Sequence, residues 1–287
     1  MGKLPFFISI PHGGTEVPPE LNDKIIITKN DLFDDSDAFT REIYNVSDLA
    51  ESQISMRYAR AFLDLSRSTD MLPPDYPDGI IKSATCYNKP IYKPECHPDV
   101  PMQRLLIRKY YYPYHCFLKS EMEKDEIMLG LDCHSMAAMA PEISPDKGSK
   151  RPLINLGDAE GKSCDPEITG LLKTSFMEIF GFHSHDVTIN KPFKGGHIIR
   201  EHGNNPKPWI QIEMNRILYL SPQWFNRTNL SVAPTRINEL NNRFRLILEL
   251  FYKKLLEFNF YPIKNDLTEL SVPLLQQRKQ HRDHNRH

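Results

Sequence analysis

A few charged or ring side chains follow short apolar runs in this sequence, and they are where chemistry could occur. His12 closes Phe6 to Ile10 in Pro11-His12-Gly13-Gly14, and His134 follows Ile127 to Leu131 in Asp132-Cys133-His134-Ser135. Two imidazoles delivered by separate strands suit a metal. A catalytic zinc takes three protein ligands and leaves one position open for water. The third donor should be a carboxylate, and two are candidates: Glu16, four residues after His12, and Asp37 in Asp35-Ser36-Asp37. Glu213 ends the apolar run Trp209 to Ile212. A carboxylate there is costly to bury unless Asn215, Arg216 or a metal-bound water offsets it, and beside a metal it can act as a general base. Arg67 follows Ala61 to Leu65, and its guanidinium fork matches a substrate carboxylate bidentately. Arg60 begins the same run. Arg200 and His202 alternate along Lys194 to Gly203, a glycine-flanked hairpin or loop-strand unit by pattern.

Elements must bring these residues together. Continuous short apolar runs suit strands buried on both faces, as in a mainly parallel sheet. The runs at 6–10, 61–65, 127–131, 153–156 and 209–212 are therefore predicted strands, and ligands gather beyond the carboxyl ends of such strands. Helices are predicted over 37–52, 103–124, 165–180 and 233–258; the last repeats apolar residues every three or four positions from Ile237 to Phe258. Alternating strands and helices give an α/β class with a mainly parallel or mixed central sheet flanked by helices. Prolines crowd 71–101, which predicts an ordered, lid-like loop.

Of 287 residues, 36 are Lys or Arg and 37 Asp or Glu, for a net charge of −1. That balance excludes the usual basic nucleic-acid binder. No window has the roughly 20 apolar residues a membrane span needs. Five cysteines without CxxC spacing point to a reduced, cytoplasmic protein. One domain is expected over 1–270, followed by a disordered basic tail over 271–287. Nucleotide-binding, GxSxG and HExxH patterns are absent. Cys133 and His134, adjacent on a strand, point to opposite faces and are not a ready thiol dyad.

Taken in order, the motifs resemble the N-formylglutamate amidohydrolase family. The matching segments are Pro11 to Gly14, Asp35-Ser36-Asp37 with Tyr44, Asp64-Leu65-Ser66-Arg67, Tyr114-His115, Asp132 to Ser135, Asn155-Leu156-Gly157, Phe193 to Arg200 and Gln211 to Arg216. They span residues 9 to about 219. Two positions depart: Ala38-Phe39 stands where Trp-His is frequent, and Ser66 replaces Asn. The resemblance implies a zinc carboxypeptidase-like fold and one zinc per chain, held by His12, His134 and Asp37, with Glu16 as the alternative carboxylate. It implies Glu213 as the general acid/base, with Arg67 anchoring the substrate carboxylate, assisted by Arg200, Arg60 and Asn215. The implied reaction is hydrolysis of a small N-acyl amino acid. A metallocarboxypeptidase-like peptidase and a non-catalytic binding protein on the same fold are the alternatives. Oligomeric state is not legible.

Overall fold

The computed structural model describes residues 2–260. In chain order the elements are β1 (Leu4–Ile10), α1 (Lys29–Asp35), α2 (Thr40–Ile43), β2 (Ala50–Ser55), α3 (Val100–Leu106) and α4 (Tyr112–Met122). They continue with β3 (Leu129–Met136), β4 (Ile154–Gly157), α5 (Pro166–Phe180), β5 (Val187–Ile189), α6 (His197–His202) and β6 (Trp209–Asn215). Last come α7 (Ile217–Leu220), the short hairpin β7 (Phe225–Asn226) and β8 (Ser231–Val232), and α8 (Pro234–Glu257). Six strands form one sheet in the order β2-β1-β3-β6-β4-β5. All neighbours are parallel except β4 and β6, so the sheet is mixed.

One sheet face packs Phe6, Ile8, Leu131, Cys133 and Ile212 against α5 and α8, whose Phe176, Phe244 and Phe251 are fully buried. The opposite face starts apolar and turns polar along the strands. Phe7 and Trp209 belong to a second core with α3, α4 and α6. Beyond them on that face lie Ser9, Asp132 and Gln211, then His134 and Glu213, which are register partners on β3 and β6. Period-two alternation thus puts Cys133 in the first core and His134 in the site, as the sequence implied.

Four expected elements differ. The helix predicted over 37–52 is the four-residue α2 followed by strand β2. Its apolar residues Ile43, Val46 and Ala50 do reach the core, so a short helix, a turn and an edge strand mimic a helical stripe. The run 61–65 is buried but forms turns instead of a strand. The Lys194–Gly203 unit holds helix α6, with Gly195 in the left-handed region (φ 124°) turning the chain into it. The helix predicted over 103–124 begins at Val100 and carries a π-helical turn at Ile107–Tyr111. The predicted tail lies outside the described residues. Within them, no helix is long and apolar enough to cross a membrane.

Candidate active site

His12 lies just past β1, and His134 near the end of the neighbouring β3. Asp37, between α1 and α2, is brought to them by its own backbone: its N–H donates to the His12 carbonyl at 3.1 Å. One donor atom from each of His12, Asp37 and His134 falls within a cluster 4.8 Å across, all buried. Asp37 Oδ2 lies 3.6 Å from His12 Nδ1 and 3.1 Å from His134 Nδ1. Zinc bonds of about 2.0–2.1 Å at tetrahedral angles put donor atoms roughly 3.3 Å apart, so this set fits that ion.

Both rings are held from behind. His12 Nε2 pairs with Asp64 Oδ1 at 2.9 Å, and His134 Nε2 with Asp132 Oδ2 at 2.8 Å. Ser9 Oγ donates to the other Asp132 oxygen at 2.7 Å. Each carboxylate favours Nε2–H and frees Nδ1 as a donor, the usual support of a metal-ligating histidine. Asp37 Oδ1 accepts from Arg216 Nη2 at 3.1 Å, which leaves Oδ2 for the cluster. Burial opposes ionisation of Asp37, but hydrogen bonds from His12 and His134 hold it well below the carboxylate range. Asp64 is likewise held well below that range, against burial, chiefly by Arg60 and His12.

Glu16, the alternative carboxylate, is excluded from this cluster: it reaches out to Arg57 in a largely exposed ion pair. The space beside Gly14 holds the backbone of Arg57 and Tyr58, where a Cβ would come within 2.4 Å.

Glu213 is buried in the same cavity of about 520 Å³. Burial pushes its carboxyl up to about 7, with the positive charge near His134 working the other way. Gln211 Nε2 donates to Glu213 Oε1 at 2.8 Å, while Gln211 Oε1 accepts from the Gly196 N–H. The amide so fixes one carboxylate oxygen, and among the described residues Oε2 has no hydrogen-bond partner.

The expected carboxylate anchors divide. Arg67 is already engaged: its Nε and Nη2 donate to the Asp78 carbonyl and Oδ2 at 2.9 and 2.7 Å. Arg60 Nη2 pairs with Asp64 Oδ2 at 2.7 Å. Lys82, fully buried and unmarked by any motif, completes this group; its Nζ sits 2.7 Å from Asp78 Oδ1 and 3.5 Å from Asp64 Oδ2. Arg200 also lines the cavity, donates only to the Gly195 carbonyl, and among the described residues has no carboxylate partner. Asn215 does not line the cavity. Its Nδ2 donates to the carbonyls of Arg151 and Pro152, so it clamps backbone instead of touching substrate.

Sequence reasoning missed the contacts of Asp64, Lys82, Asp132 and Arg216. Asp132 was accessible, because positions i and i+2 of a strand share a face. Asp64 lies 52 residues from His12, in turns that no periodicity announces.

Carboxylate-backed histidines thus stand beside a buried glutamate at the polar end of a mixed sheet. Residues 4–220 match the N-formylglutamate amidohydrolase family, and the chain belongs to it. It is 28% identical over 228 residues to an N-formylglutamate deformylase of Pseudomonas putida, covering 76% of this chain and 83% of that one. The corresponding protein of Pseudomonas aeruginosa is 26% identical over 77% and 84% of the two chains. The crystal structure of an N-formylglutamate amidohydrolase from Ralstonia eutropha JMP134 superposes with a TM-score of 0.73 at 21% identity, covering 89% of this chain and 95% of that one.

Proposed function

We propose that the chain is a zinc-dependent amidohydrolase of a small N-acyl amino acid, with N-formylglutamate as the leading substrate. The observation that carries this is the placement of Glu213 at the register position beside His134, in one cavity with the three-donor cluster. His12 Nδ1, His134 Nδ1 and Asp37 Oδ2 would hold the ion. When bound, zinc supplies Lewis acidity toward the amide carbonyl and lowers the pKa of water.

Glu213 does the proton work. Oε1 is fixed by Gln211, so Oε2 is the atom that takes a proton from the attacking water and delivers it to the leaving amine. A carboxyl lifted toward neutrality holds a proton at working pH yet can release it, as a general acid/base must. Arg200 is free to pair with the substrate carboxylate, with Arg67 at the same wall. The cavity is lined by six cations (Arg60, Arg67, Arg151, Lys194, Arg200 and Arg216) against four carboxylates, Asp35, Asp37, Asp78 and Glu213. That surplus suits an anionic substrate. Asp78, Cys86 and Tyr87 of the proline-rich loop also line it, which favours a small substrate over a peptide. Five free thiols fit a reducing, cytoplasmic setting.

The test is a release assay over N-formyl, N-acetyl and N-succinyl amino acids, with metal content measured in parallel. Glu213→Gln should keep zinc and lose about 10²–10⁴-fold in turnover. His12→Ala and His134→Ala should lose zinc and activity together. Stoichiometric zinc in both histidine variants, or near-normal turnover of Glu213→Gln, overturns the assignment.

A further inference from the structure

Arg151 is nearly fully buried, yet it lines the site cavity. It precedes β4, and its guanidinium lies over the Phe193 ring, 4.7 Å from the centroid. Nε and Nη2 both reach Asp146, each at 3.0 Å, and Nη2 also reaches Ser144 Oγ at 3.2 Å. Asp146 lines a neighbouring cavity of about 600 Å³ that shares Arg151 as a wall, but it does not line the site. The Asp146 carboxylate therefore grips one edge of the guanidinium from behind. Among the described residues Nη1 has no acceptor, and it is the remaining nitrogen of a group that borders the site.

Arg200 differs in having one edge tied to a carbonyl and, among the described residues, no carboxylate partner. Phe193, under Arg151, is linked through Lys194 to Gly195, the acceptor of Arg200. Asn155 fixes this segment by exchanging two hydrogen bonds with Phe193, both at 2.9 Å. The guanidiniums of Arg151 and Arg200 thus both contact one short segment, residues 193–195. A monocarboxylate can satisfy only one of them.

We propose that Arg151 is a specificity-determining residue that reads a second carboxylate, on the side chain of the acyl-amino acid, and that Asp146 is its positioning residue. The site is then selective for acidic acyl-amino acids, because a neutral side chain leaves the remaining N–H groups of a buried guanidinium without a charged acceptor. This rests on the amidohydrolase reading above.

The experiment compares N-formylglutamate with N-formylglutamine, which differs only in that carboxylate, on the zinc-loaded protein. The parent should prefer the acid. Arg151→Met keeps a side chain to pack on Phe193 and should lose about 10–200-fold in kcat/KM for the acid, the value of one charge-assisted pair, with little change for the amide. Asp146→Asn should raise KM for the acid while sparing kcat, and Asp146→Glu should restore part of it. It also carries the test should Arg151→Met not fold. Equal losses on both substrates, or unchanged preference in Arg151→Met and Asp146→Asn, overturn the proposal. A parent that cleaves both substrates equally overturns it too, while leaving the amidohydrolase reading standing. A parent that cleaves neither, nor any other acyl-amino acid, brings down that reading and this proposal with it.

Discussion

Asp132 decides which nitrogen of His134 faces the cluster. With its two oxygens accepting from Ser9 and from His134 Nε2, it keeps a proton on Nε2, so that Nδ1 would offer its lone pair to a bound metal. An amide in its place turns an N–H toward Nε2 and favours the opposite tautomer, with Nδ1 blocked. Asp132→Asn should therefore fold normally and bind zinc about 10–100-fold more weakly, the usual effect of losing such a partner. Competition with a chelating dye measures this; unchanged affinity would mean that Asp132 merely fills space. At this scale much was legible in the chain. His12, His134 and Glu213 follow from residue type and from position at the ends of apolar runs, Asp37 was favoured over Glu16 by the family resemblance, and the four line one cavity. The partner of Arg67, Asp78, was not legible, because it sits in a proline-rich loop whose path no pattern specifies.

β3 and β6 are the elements that carry His134 and Glu213, and they are locked to each other by one size-matched pair. Gly130 faces Trp209 across the ladder, and the Trp209 ring occupies the place of a side chain at 130. A Cβ there would meet three ring atoms at 2.4–2.6 Å. Gly130→Ala should cost about 1–3 kcal/mol through overpacking, read from denaturant midpoints. Unaltered midpoints would show that the ring has room to move. The strands lying at the middle of the sheet were readable because burial on both faces makes them continuously apolar. The edge strand β2, Ala50–Ser55, is only partly buried, so its sequence mixes polar residues and borrows the spacing of a helix. Buried turns at 61–65 fail for the converse reason: they are apolar enough to imitate a strand.

Across the whole molecule, acid should act through histidines that play no part in the chemistry. His115 Nδ1 meets His202 Nε2 at 2.8 Å, and His115 Nε2 meets the Leu65 carbonyl at 3.0 Å. Burial, then the neighbouring His202, pushes His115 down to about 3 from 6.5. Burial lowers His202 as well. The unfolded chain therefore binds these protons first. Stability is full above about pH 6.5 and falls as pH drops toward 3. His115→Gln should show a shallower decline between about pH 6.5 and 4.5 in denaturant melts; a slope identical to the parent's would move the acid sensitivity elsewhere. The sheet's one antiparallel pairing has a different kind of consequence. Because β4 runs against β6, the chain that leaves the site edge at Met136 comes back to that edge at Leu153 without crossing to the far side. Both stubs are pinned, by the Arg216 N–H on Met136 and the Asn215 N–H on Leu153. The stretch between them, which holds Asp146 and Arg151, is a replaceable mouthpiece. Evolution or an engineer can exchange it for a loop of another length and alter what the enzyme admits, while every strand behind it keeps its register.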